Sequence, residues 1–330
     1  MKTKIIVIGS NSFSGSDFID LLLEDQNMSV IGISRSAEKS ALFLPYKRYD
    51  NPLFRFYQLD LNKDIEQIFD IISNFNPDYI VNFAAQSEVA PSWKNPAQWF
   101  QTNVVSLTEL VSKLRVLPDL KKYIHISSPE VYGTCHGALT ENSPLNPSTP
   151  YAASKAAGDM SLMTFYKQYN FPLVLIRSTN VYGAHQQLFK IIPRSIIYIK
   201  SGKTIQLHGG GNAIKSYIHI RDISRGELAA LKYAKIGQTY HLSPDMGICI
   251  KDLVKLICEK LEVRFDTATE SVDERPGQDA AYVIDSSKAK LEFGWQPKIS
   301  INSGINDVIM WINKNWPLIQ NEPQEYIHKA

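Results

Sequence analysis

Six short runs of β-branched and aromatic residues, set between amphipathic stretches, constrain this chain's fold more than any other feature. The runs cover residues 5–8, 30–33, 54–59, 79–83, 123–126 and 173–176. They are apolar along their length rather than alternating, the pattern of strands covered on both faces. Between them, residues 17–23, 65–75 and 99–114 carry apolar side chains at helical spacing. Such alternation predicts right-handed crossovers and a doubly wound parallel sheet. After Gly183 the pattern is less regular: short strands at 204–207, 216–220, 239–242 and 281–284 mix with helices near 223–233, 250–261 and 301–311. The expected organisation is an N-terminal domain over 1–180 and a smaller α/β lobe over 181–330. A stretch of about 215–245 would return to the first domain, and the lobe would close over the carboxyl ends of the sheet.

Bulk composition excludes several classes. Hydrophobic residues make up 44% and charged residues 21% of 330 positions, with a net charge of +2, so neither nucleic acid nor an anionic membrane is an expected partner. No apolar run approaches the ~20 residues that span a bilayer. The run after Met1-Lys2-Thr3-Lys4 is too short for a secretory h-region. Three cysteines (Cys135, Cys249, Cys258) without CxxC spacing fit reduced thiols in a cytoplasmic protein. Seven histidines show no HxxxH or mixed His/Cys spacing, so no metal site is expected.

The first strand runs directly into Gly9-Ser10-Asn11-Ser12-Phe13-Ser14-Gly15 and then a helix. Glycines at such a turn let backbone N–H groups and the helix N-terminus approach a pyrophosphate. Ser12 stands where a middle glycine is usual, and would either narrow that approach or donate to phosphate. The second strand ends in Ser34-Arg35-Ser36, with no carboxylate to bind a ribose 2′-hydroxyl. Arg35 and its flanking hydroxyls instead suit a 2′-phosphate, which makes NADP the expected cofactor and NAD the alternative. Asp60, with Leu61 beside it, is placed to meet the adenine. The small residues within Phe83-Ala84-Ala85-Gln86-Ser87 at the fourth strand's end would let the dinucleotide lie against the backbone.

A second constellation follows: Ser127-Ser128-Pro129-Glu130-Val131-Tyr132-Gly133, then Tyr151-Ala152-Ala153-Ser154-Lys155. Tyr151 and Lys155 lie one helical turn apart, where the ammonium would favour a phenolate and so a base near neutral pH. Ser128, at a strand end, can bind the substrate oxygen that gains or loses the proton. Alcohol oxidation needs no carboxylate, so Glu130 suggests a second proton transfer on the same substrate. Cys135 lies nearby without a histidine partner and reads as packing or surface.

These motifs, taken in order, resemble the nucleotide-sugar epimerase and dehydratase branch of the extended short-chain dehydrogenases/reductases. The resemblance also rests on Thr102-Asn103-Val104, Arg177-Ser178-Thr179-Asn180-Val181-Tyr182-Gly183, Ile191-Ile192-Pro193, Tyr217-Ile218-His219-Ile220-Arg221-Asp222, Arg275-Pro276-Gly277-Gln278-Asp279 and Phe293-Gly294-Trp295-Gln296-Pro297. It implies a Rossmann domain holding NAD(P), Asn103 included, with a nucleoside-diphosphate sugar in the C-terminal lobe. Glu130 separates the possibilities, because the 4-epimerases it resembles lack an acid there and the 4,6-dehydratases carry one. In dTDP-glucose 4,6-dehydratases an Asp precedes that Glu; here it is Pro129, as though one carboxylate served both steps in the manner of GDP-mannose 4,6-dehydratases. Ala-Gln-Ser after strand four also favours the GDP-mannose enzymes. Thr102-Asn103 and Arg275-Pro276-Gly277 look more like the dTDP-sugar enzymes, so the nucleotide stays open.

The resemblance thus implies a dehydratase making a 4-keto-6-deoxy sugar, with Ser128, Glu130, Tyr151 and Lys155 as its catalytic groups. The alternatives are a 5,6-dehydratase, an epimerase or 4-ketoreductase on the same scaffold, and a non-catalytic NADP-binding regulator. Besides Gln86, Ser87, Ser128, Pro129 and Glu130, the substrate candidates are Asn180, Gln187, Lys190, Lys215 and Arg275, with Lys215 and Arg275 on the diphosphate. The stripe Trp99, Val104, Leu107, Leu110, Val111 and Leu114 reads as helix core. Part of it, with the Tyr151 helix, would form the dimer face common in the resembled family.

Overall fold

The computed structural model describes residues 2–48, 51–134, 138–273 and 281–328. Its centre is a seven-stranded, all-parallel sheet. The strands are β1 (Thr3–Ile8), β2 (Met28–Ser34), β3 (Phe54–Gln58), β4 (Tyr79–Asn82), β5 (Lys122–Ile126), β6 (Leu173–Ser178) and β7 (Gln238–Leu242). Their order is β7-β6-β5-β4-β1-β2-β3. The sheet is the Rossmann-type α/β architecture expected from the apolar runs. All six runs are strands, and β7 arrives from sequence far beyond the first half. The order reverses on either side of β1, where Ile8 is level with both Ile33 and Asn82. That switch point opens a crevice at the strands' carboxyl ends.

Two apolar layers cover the sheet. Ile5, Val7, Val30, Val81, Ile124 and Val174 face one layer, with Phe18 and Ile19 of α1 (Phe13–Leu22). Ile6, Ile8, Ile31, Ile80 and Tyr123 face the other, with Ile68 and Ile72 of α2 (Ile65–Phe75) and Leu110 and Leu114 of α3 (Leu107–Leu114). Each such side chain contributes about 1.5–3 kcal/mol by leaving water, which makes this sandwich the rigid frame of the molecule. The helix expected over 99–114 is broken by one wide turn at Gln101–Ser106. It faces Gly158 of α4 (Pro150–Tyr169), where a Cβ would lie 2.5 Å from the Asn103 carbonyl oxygen. The bulge pushes the Asn103 backbone against α4, a close approach only glycine permits.

The second lobe packs the helices Ile191–Lys200, Ile250–Lys260 and Ile301–Lys314 around Leu253, Ile257, Ile305, Val308 and Ile312. Short strand pairs join it, notably Asn180–Tyr182 with Tyr217–His219 and Ile214–Lys215 with Ala281–Ile284. The helix Ile191–Lys200 has no counterpart in the sequence reading. A further helix, α5 (Ile220–Tyr233), returns to the first domain and is tied to α1 by Arg221, which reaches both Asp20 and Asp17. No helix among the described residues is long and apolar enough to cross a membrane.

Candidate active site

A cavity of about 310 Å³ lies at the switch point, between the carboxyl ends of the sheet and the second lobe. Ser12, Phe13, Ser14, Phe83, Ala85, Ser87, Ser128, Pro129, Glu130, Tyr151, Lys155, Asn180, Gln187 and Lys190 all line it. Residues as distant in sequence as Ser12 and Lys190 therefore converge where a doubly wound sheet binds its ligands.

The glycine loop fits a dinucleotide. Gly9 has φ of +85°, and a Cβ there would meet the Ala84 nitrogen at 2.6 Å; a Cβ on Gly15 would meet the Gly9 oxygen at 2.5 Å. The loop is thereby drawn down onto the end of β4, and the first turn of α1 faces the cavity. Ser12 caps α1, its Oγ accepting from the Gly15 N–H at 3.0 Å, so that oxygen serves the helix. Asn11 donates through Nδ2 to the carbonyls of Ser36 and Ala37, while its buried Oδ1 has no hydrogen-bond partner. Ser34 Oγ accepts from the Asn11 N–H, so this hydroxyl holds the loop instead of reaching outward. Arg35, half-buried, is the cation at this end, and its charge is felt by Tyr326 from the C-terminal segment.

Several other expected cofactor contacts have structural duties. Asp60 caps its own turn, Oδ1 accepting from the Asn62 N–H at 2.9 Å, and Leu61 is buried in the core. Asn103 is buried and braces the loop after β4: Oδ1 accepts from the Gln86 N–H, while Nδ2 donates to the Gln86 carbonyl and Ser154 Oγ. Gln86 is thus pinned beside the cavity without lining it, and Lys215, on its short strand, also stands outside the lining. Arg275 and Cys135 lie outside the described residues.

The catalytic candidates come together. Ser128 caps a single 3₁₀ turn, Pro129–Tyr132, with Oγ accepting from the Glu130 N–H at 3.2 Å. Its hydroxyl is also hydrogen-bonded to the Tyr151 phenol. Tyr151 sits in the first turn of α4 behind the Thr149 cap, and Lys155 follows one turn on. The ammonium is engaged by groups that the spacing alone does not predict. Lys155 Nζ donates to the Ile126 carbonyl at 2.8 Å and lies 3.1 Å from His125 Nε2. Burial, then the Glu130 charge, holds the Tyr151 phenol well above its usual range, with the Ser128 hydrogen bond opposing them. Burial also brings Lys155 down to about 8, against the pull of the Asp159 carboxylate. Tyr151 thus rests as a neutral phenol, and Lys155 holds its proton less firmly than an exposed lysine does.

Beneath them runs a buried polar chain. Arg177 of β6 pairs with Asp159 at 2.8 Å, which also accepts from Ser127 Oγ at 2.8 Å. Arg177 also donates to Tyr132, whose hydroxyl meets His241 Nε2 at 2.7 Å. This network ties the 3₁₀ turn carrying Glu130 to α4, β6 and β7, so the catalytic groups stand on rigid supports.

The residue that sequence reasoning missed is Glu88. It lines the cavity as a second carboxylate beside Glu130 and pairs with Lys190 Nζ at 2.6 Å. No local pattern marks it, because its partner is 102 residues away. Gln186, next to the candidate Gln187, also lines the cavity, its Nε2 donating to the Val181 carbonyl. Among the described residues no group of three or more His, Cys, Asp or Glu could hold a metal ion.

The sequence profile described as GDP-mannose 4,6 dehydratase matches residues 6–308, across both lobes and every element of this site. The chain belongs to that family. It is 31% identical to the dTDP-glucose 4,6-dehydratase of Haemophilus influenzae, over 93% of this chain and 97% of that protein. The crystal structure of DesIV, a dTDP-glucose 4,6-dehydratase from Streptomyces venezuelae with NAD bound, superposes with a TM-score of 0.89 at 28% identity. That match covers 96% of this chain and 98% of that one. The UDP-glucuronic acid 4-epimerase of Bacillus cereus, solved with UDP-glucuronic acid and NAD, gives a TM-score of 0.86 at 25% identity, covering 94% and 99%. The family scaffold is that of NAD(P)-dependent extended short-chain dehydrogenases/reductases, dehydratases and epimerases alike.

Proposed function

We propose that this chain is a nucleoside-diphosphate-sugar 4,6-dehydratase that yields a 4-keto-6-deoxy sugar and works through bound NADP. The observation that carries the reading is Glu130 in one cavity with Ser128, Tyr151 and Lys155. A phenol, a hydroxyl and an ammonium suffice to oxidise an alcohol; a carboxylate beside them serves removal of a proton from carbon. NAD(P), held by the glycine loop and the end of β4, would supply reversible hydride acceptance and, when oxidised, positive charge in this cavity.

The chain's own groups do the rest. Ser128 holds O4, and Tyr151 takes the 4-hydroxyl proton once nearby positive charge offsets the burial and Glu130 effects that keep it a phenol. The 4-keto group acidifies C5–H, and Glu130 removes that proton. Pro129 has no proton to give, so Glu130 returns its proton to the 6-hydroxyl as the C6–O bond breaks and water leaves. One proton passes from C5 to O6; as hydride returns to C6, C5 regains a proton through Glu130, balanced by the one Tyr151 took from O4, so both groups end as they began. Lys190, Lys215 and Arg275 are the candidates for the diphosphate. Arg35, with no acidic residue beside it in Ser34-Arg35-Ser36, favours NADP; the NAD bound in DesIV makes direct competition between the two cofactors the deciding measurement. The exposed apolar side chains Val105, Met160 and Tyr169, on α4 and the bulged segment packed against it, suit a second copy of the chain, measurable by light scattering.

The alternative is a 4-epimerase, favoured by the lack of a paired acid at Pro129. One experiment separates the readings. Purified protein is incubated with dTDP-glucose, GDP-mannose, UDP-N-acetylglucosamine and CDP-glucose, without added cofactor, and products are weighed by mass spectrometry. Loss of one water from one donor is expected and names the nucleotide. Isomerisation without mass change would replace the dehydratase with an epimerase.

A further inference from the structure

Beneath Lys155 lies a string of buried polar groups that the reaction as described does not use. Residues 123 and 125 alternate onto the same face of β5, and Asn82 of β4 is level with His125 in the ladder. Asn82 Nδ2 donates to the Tyr123 hydroxyl at 2.9 Å and lies 3.4 Å from His125 Nδ1. His125 Nε2 in turn lies 3.1 Å from Lys155 Nζ. All of these side chains are buried.

We propose that His125, oriented by Asn82, is a positioning residue that fixes where Lys155 points and the charge state in which it rests. The argument rests on hydrogen-bond accounting. Asn82 Oδ1 accepts from the Ala84 N–H at 2.9 Å, which fixes the amide's orientation and leaves its NH₂ facing the imidazole. A ring nitrogen facing an NH₂ presents its lone pair. Burial keeps His125 neutral, so its one proton resides on Nε2, directed at Lys155. An N–H aimed at an ammonium is repulsive, whereas an N–H aimed at a neutral amine is a hydrogen bond. The imidazole therefore favours the amine form of Lys155, which keeps its other hydrogen bond to the Ile126 carbonyl.

The remaining charges around Lys155 come from every neighbouring element. Asp159 on α4 favours the ammonium and Arg177 on β6 opposes it, while Glu130 acts on Tyr151. Asp159 is already engaged by Arg177 and Ser127, so His125 is the direct neighbour left to tip the balance. A lysine whose proton affinity is lowered in this way can release and regain a proton during turnover near neutral pH; one locked as an ammonium cannot.

The inference rests on the catalytic reading of Tyr151 and Lys155, and its test is built so that the two fail separately. Nitrogen-15 NMR of histidine-labelled protein without substrate reports the imidazole tautomer directly. The expected result is Nε2–H at His125, and an Nδ1–H or doubly protonated ring would overturn the proposal whatever the enzyme's activity. The kinetic arm uses His125→Gln, whose amide oxygen can accept from an ammonium, and His125→Phe, which keeps the ring and removes both nitrogens. The Phe variant should lose about tenfold or more in kcat with KM within about twofold. The Gln variant should recover most of that loss and move the alkaline limb of the kcat profile upward. Unchanged kcat and pH profile in both variants would overturn the proposal. If the Phe variant does not fold, judged by melting and cofactor binding, the Gln profile alone decides: a limb that stays at the wild-type position overturns it. Wild-type protein that converts no donor sinks the functional reading alone and leaves the tautomer result standing.

Discussion

Replacing Glu130 with Gln separates the two halves of the proposed reaction. The substitution preserves shape, and the Ser128 cap survives because it is made to the backbone N–H of residue 130, at 3.2 Å. Pro129 still starts the 3₁₀ turn, and the Arg177–Asp159–Tyr132 chain beneath it is untouched. Two electrostatic consequences follow, and they point in opposite directions. The variant loses the only carboxylate proposed to take the C5 proton, a general-base loss of roughly 10²–10⁴ in rate, or about 2.7–5.4 kcal/mol in the barrier. It also removes the negative charge that, after burial, most raises the Tyr151 phenol. Tyr151 should therefore become a better base, and C4 oxidation should not slow. The expected phenotype is asymmetric: water loss falls by about 10²–10⁴ while reduced nicotinamide builds up on the enzyme. Stopped-flow absorbance follows the first half and mass spectrometry the second. Exchange of the C5 hydrogen with deuterated solvent, expected in the wild type, should disappear. If Glu130→Gln loses water within about threefold of the wild-type rate, the carboxylate is not the base. If water loss and nicotinamide reduction fall together, Glu130 acts on oxidation or binding, and the assignment of separate proton transfers is wrong.

Three other substitutions test neighbouring claims. Arg35→Asp should weaken NADP by about 10- to 100-fold, the worth of one charge-assisted contact plus repulsion, and weaken NAD far less; equal losses in calorimetry would show that Arg35 does not read the 2′-phosphate. Glu88→Gln breaks the 2.6 Å pair with Lys190, and because both partners are partly exposed the melting temperature should barely move. Freed from Glu88, Lys190 should lower KM for the donor sugar, whereas a raised KM would show that Glu88 itself holds substrate. Glu227 is buried in α5 with neither carboxylate oxygen partnered, and burial, then Asp17, pushes its carboxyl well above the usual range. A raised folded value means the group costs no stability below the unfolded value of about 4.3 and progressively more as pH rises through the folded one. Glu227→Met should therefore stabilise the fold by on the order of 2 kcal/mol at pH 8 and much less near pH 4, and equal melting shifts at both pH values would refute this.

The division between what the chain's pattern revealed and what it concealed follows the range of the interactions. Strands β1 to β6 were legible because each is an apolar run long enough to be buried on both faces, and burial is a local demand on side chains. Gly9 was legible too, since a φ of +85° against the Ala84 backbone tolerates no side chain. The helix Ile191–Lys200 was not, because Pro193 reads as a breaker unless its place in the first turn is known, where its missing N–H costs nothing. The wide turn at Gln101–Ser106 depends on Gly158, more than fifty residues away, and no helical periodicity announces it. Charge assignments failed for the same reason. Spacing alone sets Lys155 against Tyr151; the fold adds Ile126, His125 and complete burial, and these decide where the ammonium points.

Glu88 carries this furthest. The reading of Pro129 as a missing acid compares residues along the chain, position by position, and concludes that one carboxylate must serve two steps. The cavity contains two carboxylates, the second on the loop after β4 and held by Lys190. If the diphosphate draws Lys190 away, Glu88 is released from its ion pair and can turn to the substrate. An acid absent from position 129 would then be supplied from position 88, only in the loaded enzyme. The double variant Glu88→Gln, Glu130→Gln distinguishes the cases. If Glu130 alone handles both proton transfers, adding Glu88→Gln to Glu130→Gln changes the residual water loss by less than about threefold. If Glu88 protonates the leaving hydroxyl, the single Glu88→Gln variant already loses water slowly while still exchanging C5–H with solvent, because the proton is removed but the C6–O bond does not break.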